Sequence, residues 1–427
     1  MVKAAETVVG ANSVKRFAAA IGKYLESQSV PGAFELDGRD PAVTAAIAEL
    51  TQAVENVTVE DRGDGVLFVP ENRTAALLMS FLAGQAAQHC ARTNERFLEA
   101  QLAEDDLGGW AAKFVPAWIK GRFKKHAFVS PDQTPLEVPN DFRLVLLGDW
   151  GSGLYGAPIS AASIQGARPA FDALLHLGDV YYAGTKEEAV ERFLNLWPDV
   201  PGATSWALNS NHEMYSGGEG YFDVTLADVR FAQQRGSSCF AWENDHFLFV
   251  GLDTGYEEHD IGNEQRAWLR ELSSTKSSKR LVLFSHHQPF SAFETEGSKL
   301  ISALSGLLET GRVAAWYWGH EHRCVFFERH SAWSLWGRCV GHGGYPQKRD
   351  AFDELPESTN PDGSSWREVR RAGVPNAWVL DGPNPNVPGH AEKYAPHGYV
   401  ALHFDGPLVH ETVHAPDGTL LLAHDAF

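Results

Sequence analysis

The chain has 427 residues, of which 44% are hydrophobic and 11% aromatic, and its formal net charge is −19. This composition indicates a folded protein with enough apolar material for more than one core, and it excludes a largely disordered chain. The negative charge argues against nucleic acid as the main partner, because a phosphate backbone requires basic protein surface.

No stretch of the sequence is typical of a secretory signal or a membrane span. The N-terminus lacks a continuous apolar segment. The longest apolar stretch, 75–87, is shorter than the roughly 18 residues that a membrane helix requires. The four cysteines form no CxxC pair, so we expect free thiols. These features predict a cytoplasmic protein.

Residues 1–128 are predicted to form a helical N-terminal domain, since apolar residues recur at helical spacing over much of this region. The segment 108–128 differs, because aromatic residues alternate there with lysines and arginines. Such a segment either contacts a membrane surface or a protein partner, or packs on the rest of the chain with its lysines in solvent. We favour packing, because the remainder of the chain is acidic.

A proline-rich stretch, 129–140, is predicted to link this domain to a second one at 141–427. Short apolar runs with helical spacers in the second domain predict α/β layering; they are 143–147, 173–177, 205–208, 247–252, 280–284 and 313–318. Residues 398–404, 408–414 and 419–424 predict an antiparallel meander. The fold class is therefore a two-sheet α/β sandwich with a βαβαβ core, and the polar stretch 348–371 is a predicted surface insertion.

Five of the six apolar runs end in residues that bind metals: Asp149, Asp179, Asn211 with His212, His286 with His287, and His320 with His322. Ligands of α/β sheets bind beyond the carboxyl ends of strands, where loops meet. Two carboxylates, an amide and three imidazoles suit Fe, Zn or Mn and lack the thiolates of a structural zinc site. Metal ions would also supply local positive charge in this acidic protein.

The sequences around these residues resemble the five ordered motifs of the calcineurin-like metallophosphoesterases and, more narrowly, those of purple acid phosphatases; they are 148–151, 178–182, 210–213, 283–286 and 319–322. The general pattern has a histidine where this chain has Gly151, and Tyr182 stands where the purple branch has its tyrosine ligand. Ser210 and Leu283 depart from the glycine and valine of the pattern, at positions that do not bind metal.

The resemblance implies a dinuclear centre that holds iron together with Fe, Zn or Mn. Its ligands would be Asp149, Tyr182 and His322 for one ion and Asn211, His286 and His320 for the other, with Asp179 as the bridge. It further implies hydrolysis of a phosphate monoester by a metal-bound hydroxide. His212 would donate a proton to the leaving group and help to hold the phosphate.

Some residues near the motifs have two interpretations. His287 and His342 either contact the substrate or support their loops, and Glu213 either orients His212 or lies in solvent. Tyr181 and Trp150 are expected to be packing residues.

Two other functions remain open alongside monoester hydrolysis of a small molecule. The same ligands serve phosphodiesterases that act on cyclic nucleotides or other diesters, because substrate choice depends on the pocket walls. A non-catalytic metal-binding scaffold is disfavoured, since every expected ligand is present. The sequence gives no indication of the oligomeric state.

Overall fold

The structure is a computed structural model that describes residues 125–426, except 133, 182, 258, 295–296, 350–351, 353–354, 356, 360–364 and 388–390. The predicted helical domain therefore lies outside the described residues, apart from residues 125–128. So does Tyr182.

Sixteen strands are found in the described residues: β1 (Leu136–Glu137), β2 (Asp141–Leu147), β3 (Ala173–His176), β4 (Thr204–Ala207), β5 (Phe240–Glu243), β6 (Phe247–Gly251), β7 (Arg280–Ser285), β8 (Val313–Trp318), β9 (Cys324–Phe327), β10 (Trp336–Val340), β11 (Glu357–Thr359), β12 (Ser365–Val369), β13 (Ala377–Leu380), β14 (Tyr399–Asp405), β15 (Leu408–His414) and β16 (Leu420–Asp425). The α-helices are α1 (Ala157–Gly166), α2 (Lys186–Glu188), α3 (Asn211–Tyr215), α4 (Asn263–Thr275) and α5 (Ser298–Leu308). Single π or 3₁₀ segments occupy Ala189–Leu194, Tyr221–Thr225, Val229–Gln234 and Ala391–Lys393.

The strands form two sheets. The six-stranded sheet has the order β16-β15-β14-β2-β3-β4, in which β2, β3 and β4 are parallel and β14–β16 form an antiparallel meander. The ten-stranded sheet has the order β1-β5-β6-β7-β8-β10-β9-β13-β12-β11, in which β6, β7 and β8 are parallel neighbours. The parallel strands of each sheet therefore direct their carboxyl ends to one edge.

The alternating direction of successive side chains along each strand explains why the two sheets pack face to face. In β2, Phe142, Leu144 and Leu146 belong to one core cluster together with Phe247 and Phe249 of β6. The intervening side chains point the other way, because successive side chains of a strand lie on opposite faces. The two sheets thus bury a shared apolar layer.

Helices cover the outer face of each sheet. Val145 and Leu147 of β2 pack with Ile164 of α1. On the ten-stranded sheet, Leu248 and Val250 of β6 pack with apolar side chains of α4 and α5, namely Trp268, Leu269, Leu272, Leu300, Leu304 and Leu308. The result is a helix–sheet–sheet–helix sandwich, which confirms the predicted fold class.

The predicted linker, 129–140, and the predicted surface insertion, 348–371, both contribute strands to the ten-stranded sheet. β1 lies within the predicted linker and pairs in parallel with β5, whereas β11 and β12 lie within the predicted insertion and extend the sheet beyond β13. The domain boundaries themselves stay predictions.

The last residues of the predicted basic and aromatic segment, 125–128, pack on the rest of the chain. Lys125 Nζ lies 3.6 Å from the centre of the Tyr256 ring, and the His126 ring stacks on Phe222 with ring centres 4.3 Å apart. In the described part of the chain, no helix is long and apolar enough to cross a membrane.

Candidate metal centre

The predicted ligands meet where the carboxyl ends of strands from both sheets converge. Asp149 and Asp179 follow β2 and β3, and Asn211 begins α3 after β4. His286 follows β7 of the other sheet, and His320 and His322 follow β8. The structure brings these six side chains into two adjoining groups, Asp149 with Asp179 and His322, and Asp179 with His286, His320 and Asn211.

His286 occupies the centre of one group. Its Nδ1 lies 2.9 Å from the Leu177 carbonyl oxygen, which leaves Nε2 for a ligand. That Nε2 is 3.0 Å from Asn211 Oδ1, 3.2 Å from His320 Nδ1 and 3.2 Å from Asp179 Oδ1. Donor atoms on a tetrahedral ion with bonds of about 2.0 Å lie about 3.3 Å apart. The group therefore fits a metal ion.

The second group surrounds the other oxygen of Asp179. His322 Nε2 lies 3.5 Å from Asp149 Oδ1 and 3.8 Å from Asp179 Oδ2. The Tyr181 hydroxyl donates to Asp179 Oδ2 at 2.9 Å and lies 2.5 Å from His322 Nε2. Two carboxylate oxygens, an imidazole and a phenol thus converge. Because Asp179 presents one oxygen to each group, its geometry is that of a bridging ligand.

Backbone conformation at the predicted ligands is unusual. Among the described non-glycine residues, eight have positive φ, and four of these are Asp149, Asp179, His320 and His322. Positive φ is uncommon outside glycine and is concentrated at functional sites. The tight turns after β2, β3 and β8 therefore aim these side chains at the common centre.

Glycine is required beside two of these turns. A Cβ at Gly178, whose φ is +104°, would lie 2.6 Å from His286 Nδ1, and one at Gly319 would lie 2.7 Å from Asp149 Oδ2. Contacts this short do not occur, so larger residues would displace the ligands. The glycines that precede the ligands in the sequence thus have a steric function here.

The charges of the two carboxylates indicate a need for cations. Burial, together with the neighbouring Asp179 carboxylate, raises the pKa of Asp149 well above its usual value. Burial also raises the pKa of Asp179. The nearby imidazoles of His286 and His212 lower it by more, so the pKa of Asp179 lies well below its usual value. Two buried carboxylates this close favour a site that also holds positive charge.

His212 lies beside this centre, on the first turn of α3. Its side chain is buried, and its ring centre is 4.1 Å from that of Tyr181. Glu213 is also buried, so the solvent-exposed alternative for this residue is wrong. Its carboxylate accepts the backbone N–H groups of Asp179 at 3.3 Å and Val180 at 3.2 Å. It therefore holds the turn that carries Asp179.

The two predicted substrate residues lie in different surroundings. His287 is buried against His259 and His320, with ring centres 3.8 and 4.6 Å away. His342 is buried elsewhere, where a Cβ on Gly398 would lie 3.0 Å from its Nε2. Burial, with a smaller contribution from His397, lowers the pKa of His342 to about 3. Substrate contact by either residue stays a prediction.

Two residues at the centre were not predicted from the sequence. Tyr181 was expected to be a packing residue, yet its hydroxyl reaches Asp179 and His322. The only available signal was its place next to Tyr182 in the motif. His259 lies in the polar loop after β6 and belongs to no motif, so nothing in the sequence distinguishes it. Trp150, by contrast, is a buried packing residue as predicted, and its ring N–H donates to the Arg192 carbonyl at 2.8 Å.

Comparison with known proteins identifies the region that carries these ligands. Residues 142–324 match the family model of the calcineurin-like phosphoesterases. No curated protein matches the chain.

Several solved structures are similar to this chain. A purple acid phosphatase from yellow lupin (Lupinus luteus) seeds matches with 16% identity and a TM-score of 0.48, over 67% of this chain and 54% of that one. The alignment thus spans about half of the lupin enzyme. A conserved Streptococcus pneumoniae protein described as a predicted phosphoesterase matches with 10% identity and a TM-score of 0.29, over 67% and 97% of the two chains. A cold-active protein-tyrosine phosphatase from a psychrophilic Shewanella matches with 13% identity and a TM-score of 0.32, over 69% and 83%.

Proposed function

We propose that this chain, whose residues 142–324 match the family model of the calcineurin-like phosphoesterases, hydrolyses phosphate monoesters at a two-metal centre. The observation that carries the proposal is the placement of Asp179, whose two carboxylate oxygens belong to two different groups of donor atoms. One oxygen lies near His286, and the other lies near His322 and the Tyr181 hydroxyl.

Each group supplies ligands of the same chemical kind. His286, His320 and Asn211 would hold one ion, and Asp149 and His322 would hold the other. When bound, two such ions neutralise phosphate charge and lower the pKa of water. Mixed oxygen and imidazole ligands suit iron, zinc or manganese. The assignment to the purple acid phosphatase-like branch, with iron in the second group, is supported by the sequence motifs.

The tyrosine of the second group has two candidates. The motif points to Tyr182, which lies outside the described residues. The geometry supports Tyr181, because its hydroxyl already lies within 2.9 Å of Asp179 Oδ2 and 2.5 Å of His322 Nε2. We take Tyr181 as the phenol donor.

We propose His212 as the proton donor. It is buried beside Asp179, and Ser210 fixes its backbone, because the Ser210 hydroxyl accepts the His212 N–H at 3.1 Å. In the protonated form it would transfer one proton to the leaving alkoxide as the phosphorus–oxygen bond breaks. General acid assistance of this kind contributes about 10²–10⁴-fold. Its protonated ring also offers a donor to a phosphate oxygen.

A substrate panel with metal analysis tests the proposal. The full-length protein is assayed with para-nitrophenyl phosphate and with bis(para-nitrophenyl) phosphate, and its metal content is measured by mass spectrometry. We expect at least two equivalents of metal and faster turnover of the monoester. Faster diester turnover would replace the monoesterase with the phosphodiesterase alternative. Hydrolysis that continues with a single equivalent would overturn the two-metal centre.

A further inference from the structure

A second set of imidazoles lies beside the two-metal centre. His259, His287 and His320 each offer one nitrogen, and these three nitrogens lie within 4.8 Å of one another. The residues follow β6, β7 and β8, three neighbouring parallel strands of the ten-stranded sheet. Their convergence therefore repeats, within one sheet, the principle that brings the other ligands together.

Thr254 fixes two of the three histidines. Its hydroxyl oxygen accepts the backbone N–H of His287 at 3.0 Å and lies 2.9 Å from His287 Nδ1. Its carbonyl oxygen accepts the backbone N–H of His259 at 3.0 Å. Metal-binding histidines usually have the second ring nitrogen fixed by an oxygen in this way. His287 Nε2 is thus the nitrogen left to face the group.

That nitrogen is buried and has no hydrogen-bond partner in the part of the chain that the structure describes. An unsatisfied buried polar atom costs about 1–3 kcal/mol, and native proteins contain few of them. The His259 ring packs over His287, with ring centres 3.8 Å apart. The arrangement is unfavourable unless a ligand contacts Nε2.

The composition of the group favours a cation over an anion. Phosphate and carboxylate are bound by arginine, lysine or the amides of a helix N-terminus, and the group contains none of these. Three imidazoles with a position left for solvent are a set that binds zinc. His259 is exposed, so an ion can reach the group from solvent.

We propose that His259, His287 and His320 form a third transition-metal site, suited to Zn²⁺, beside the two-metal centre. His320 belongs to both groups, and its Nδ1 lies 3.2 Å from His286 Nε2. An imidazole has two ring nitrogens, so the His320 ring can contact two ions as an imidazolate, and its N–H proton is released to solvent when the second ion binds. The third site contains neither Asp149 nor Asp179, and it does not depend on which ester the enzyme hydrolyses.

The test counts bound zinc in the full-length protein. The protein is stripped with a chelator and dialysed to equilibrium against Zn²⁺ alone, and the bound metal is measured by mass spectrometry. We expect three equivalents in the wild type and two in His259→Ala, while His259→Cys retains three because a thiolate also binds zinc. His246→Ala, at the turn between β5 and β6, is the matched control and should retain three.

The third site is overturned if His259→Ala binds as many equivalents of zinc as the wild type does, whatever the wild-type count. Asp149→Asn separates this outcome from a failure of the two-metal centre. If that centre is wrong, Asp149→Asn leaves the count unchanged while His259→Ala still removes one equivalent. Because His259 is an exposed loop residue, its replacement is not expected to prevent folding.

Discussion

The two sheets contribute chemically different ligands to the same centre. The six-stranded sheet supplies oxygen donors, since Asp149, Asp179 and Asn211 all follow its parallel strands. The ten-stranded sheet supplies imidazoles, namely His286, His320 and His322. Neither sheet alone holds a mixed set of donors. The centre therefore forms only when the sheets pack together, and metal binding is coupled to that packing.

The same two sheets are joined a second time by a buried ion pair. Arg338 of β10 donates to Glu411 of β15 at 2.9 Å, and both side chains are almost fully buried. His424 Nε2 of β16 lies 3.1 Å from the same carboxylate. This contact involves no proposed ligand, so variants can separate the stability of the sheet packing from the binding of metal.

Asp179→Asn should have the largest effect, because Asp179 alone belongs to both donor groups. Loss of a residue that merely supports a metal ligand costs about 10–100-fold in affinity or activity. We expect the loss of a bridging ligand to exceed a hundredfold in hydrolysis of para-nitrophenyl phosphate, with metal content falling in parallel. Asp172→Asn, just before β3 of the same sheet, is the control. Retention of both metals in Asp179→Asn would show that the carboxylate does not bridge.

Glu411→Gln should lower the free energy of unfolding without changing the metal content of the folded protein. Removing one partner of a buried ion pair costs about 3–5 kcal/mol, because the other charge is left uncompensated. We expect a decrease of this size in the free energy of unfolding in urea, with unchanged metal content at low denaturant. Glu368→Gln, which breaks the exposed pair with Arg370, should cost less than about 1 kcal/mol. A fall in metal content in Glu411→Gln would mean that metal binding depends on the ion pair between Arg338 and Glu411.

The same pair predicts a pH dependence of stability. Burial favours the neutral carboxyl, but the Arg338 charge and His424 outweigh it and hold the pKa of Glu411 below its usual value. The stabilisation is therefore complete above the unfolded-state pKa of about 4.3 and is lost as the pH falls through the folded-state pKa. The difference in unfolding free energy between wild type and Glu411→Gln should shrink below about pH 4. A difference that is constant from pH 7 to pH 3 would contradict this assignment.

Tyr181→Phe tests whether the six-stranded sheet contributes a phenolate to the oxygen donors. If iron binds there with Tyr181, the purified protein has a broad visible band that disappears in Tyr181→Phe, and iron affinity falls by about tenfold or more. Tyr182→Phe is the matched comparison and should retain the band. The reverse pattern would assign the phenol to the residue that the motif selects.

The six apolar runs, and the metal-binding residue types that follow five of them, were predictable because both signals are local. Strands that are buried on both faces are apolar throughout, as in the run Val313–Trp318, and the residue types after them are those that bind metals. Strands β9–β13 were not predicted, because their pairing is set by contacts between distant segments, such as Phe327 with Ala377. The ion pair of Arg338 and Glu411 has the same origin.

The choice between adjacent tyrosines could not be made from the sequence. A motif fixes the spacing between residues, whereas the direction of a side chain depends on the φ and ψ angles of the turn. In this turn Asp179 itself has a φ of +76°, which no local propensity predicts. His259 was missed for a related reason, since a single histidine in a polar loop gains a function only from residues that follow other strands.

Ser210→Ala should have the smallest effect and tests how the oxygen donors are oriented. Ser210 has an extended backbone, with φ −131° and ψ 179°, so the glycine of the family pattern is not required for the turn. Its hydroxyl caps α3 and contacts both Asp179 and Glu213. Loss of the cap costs about 1 kcal/mol of stability, and loss of the contact to Asp179 should lower metal affinity about tenfold. Thr185→Ala, which removes the cap of α2, should lower stability alone. Equal metal affinities in the two variants would show that the serine only caps its helix, and that the turn after β3 orients Asp179 without it.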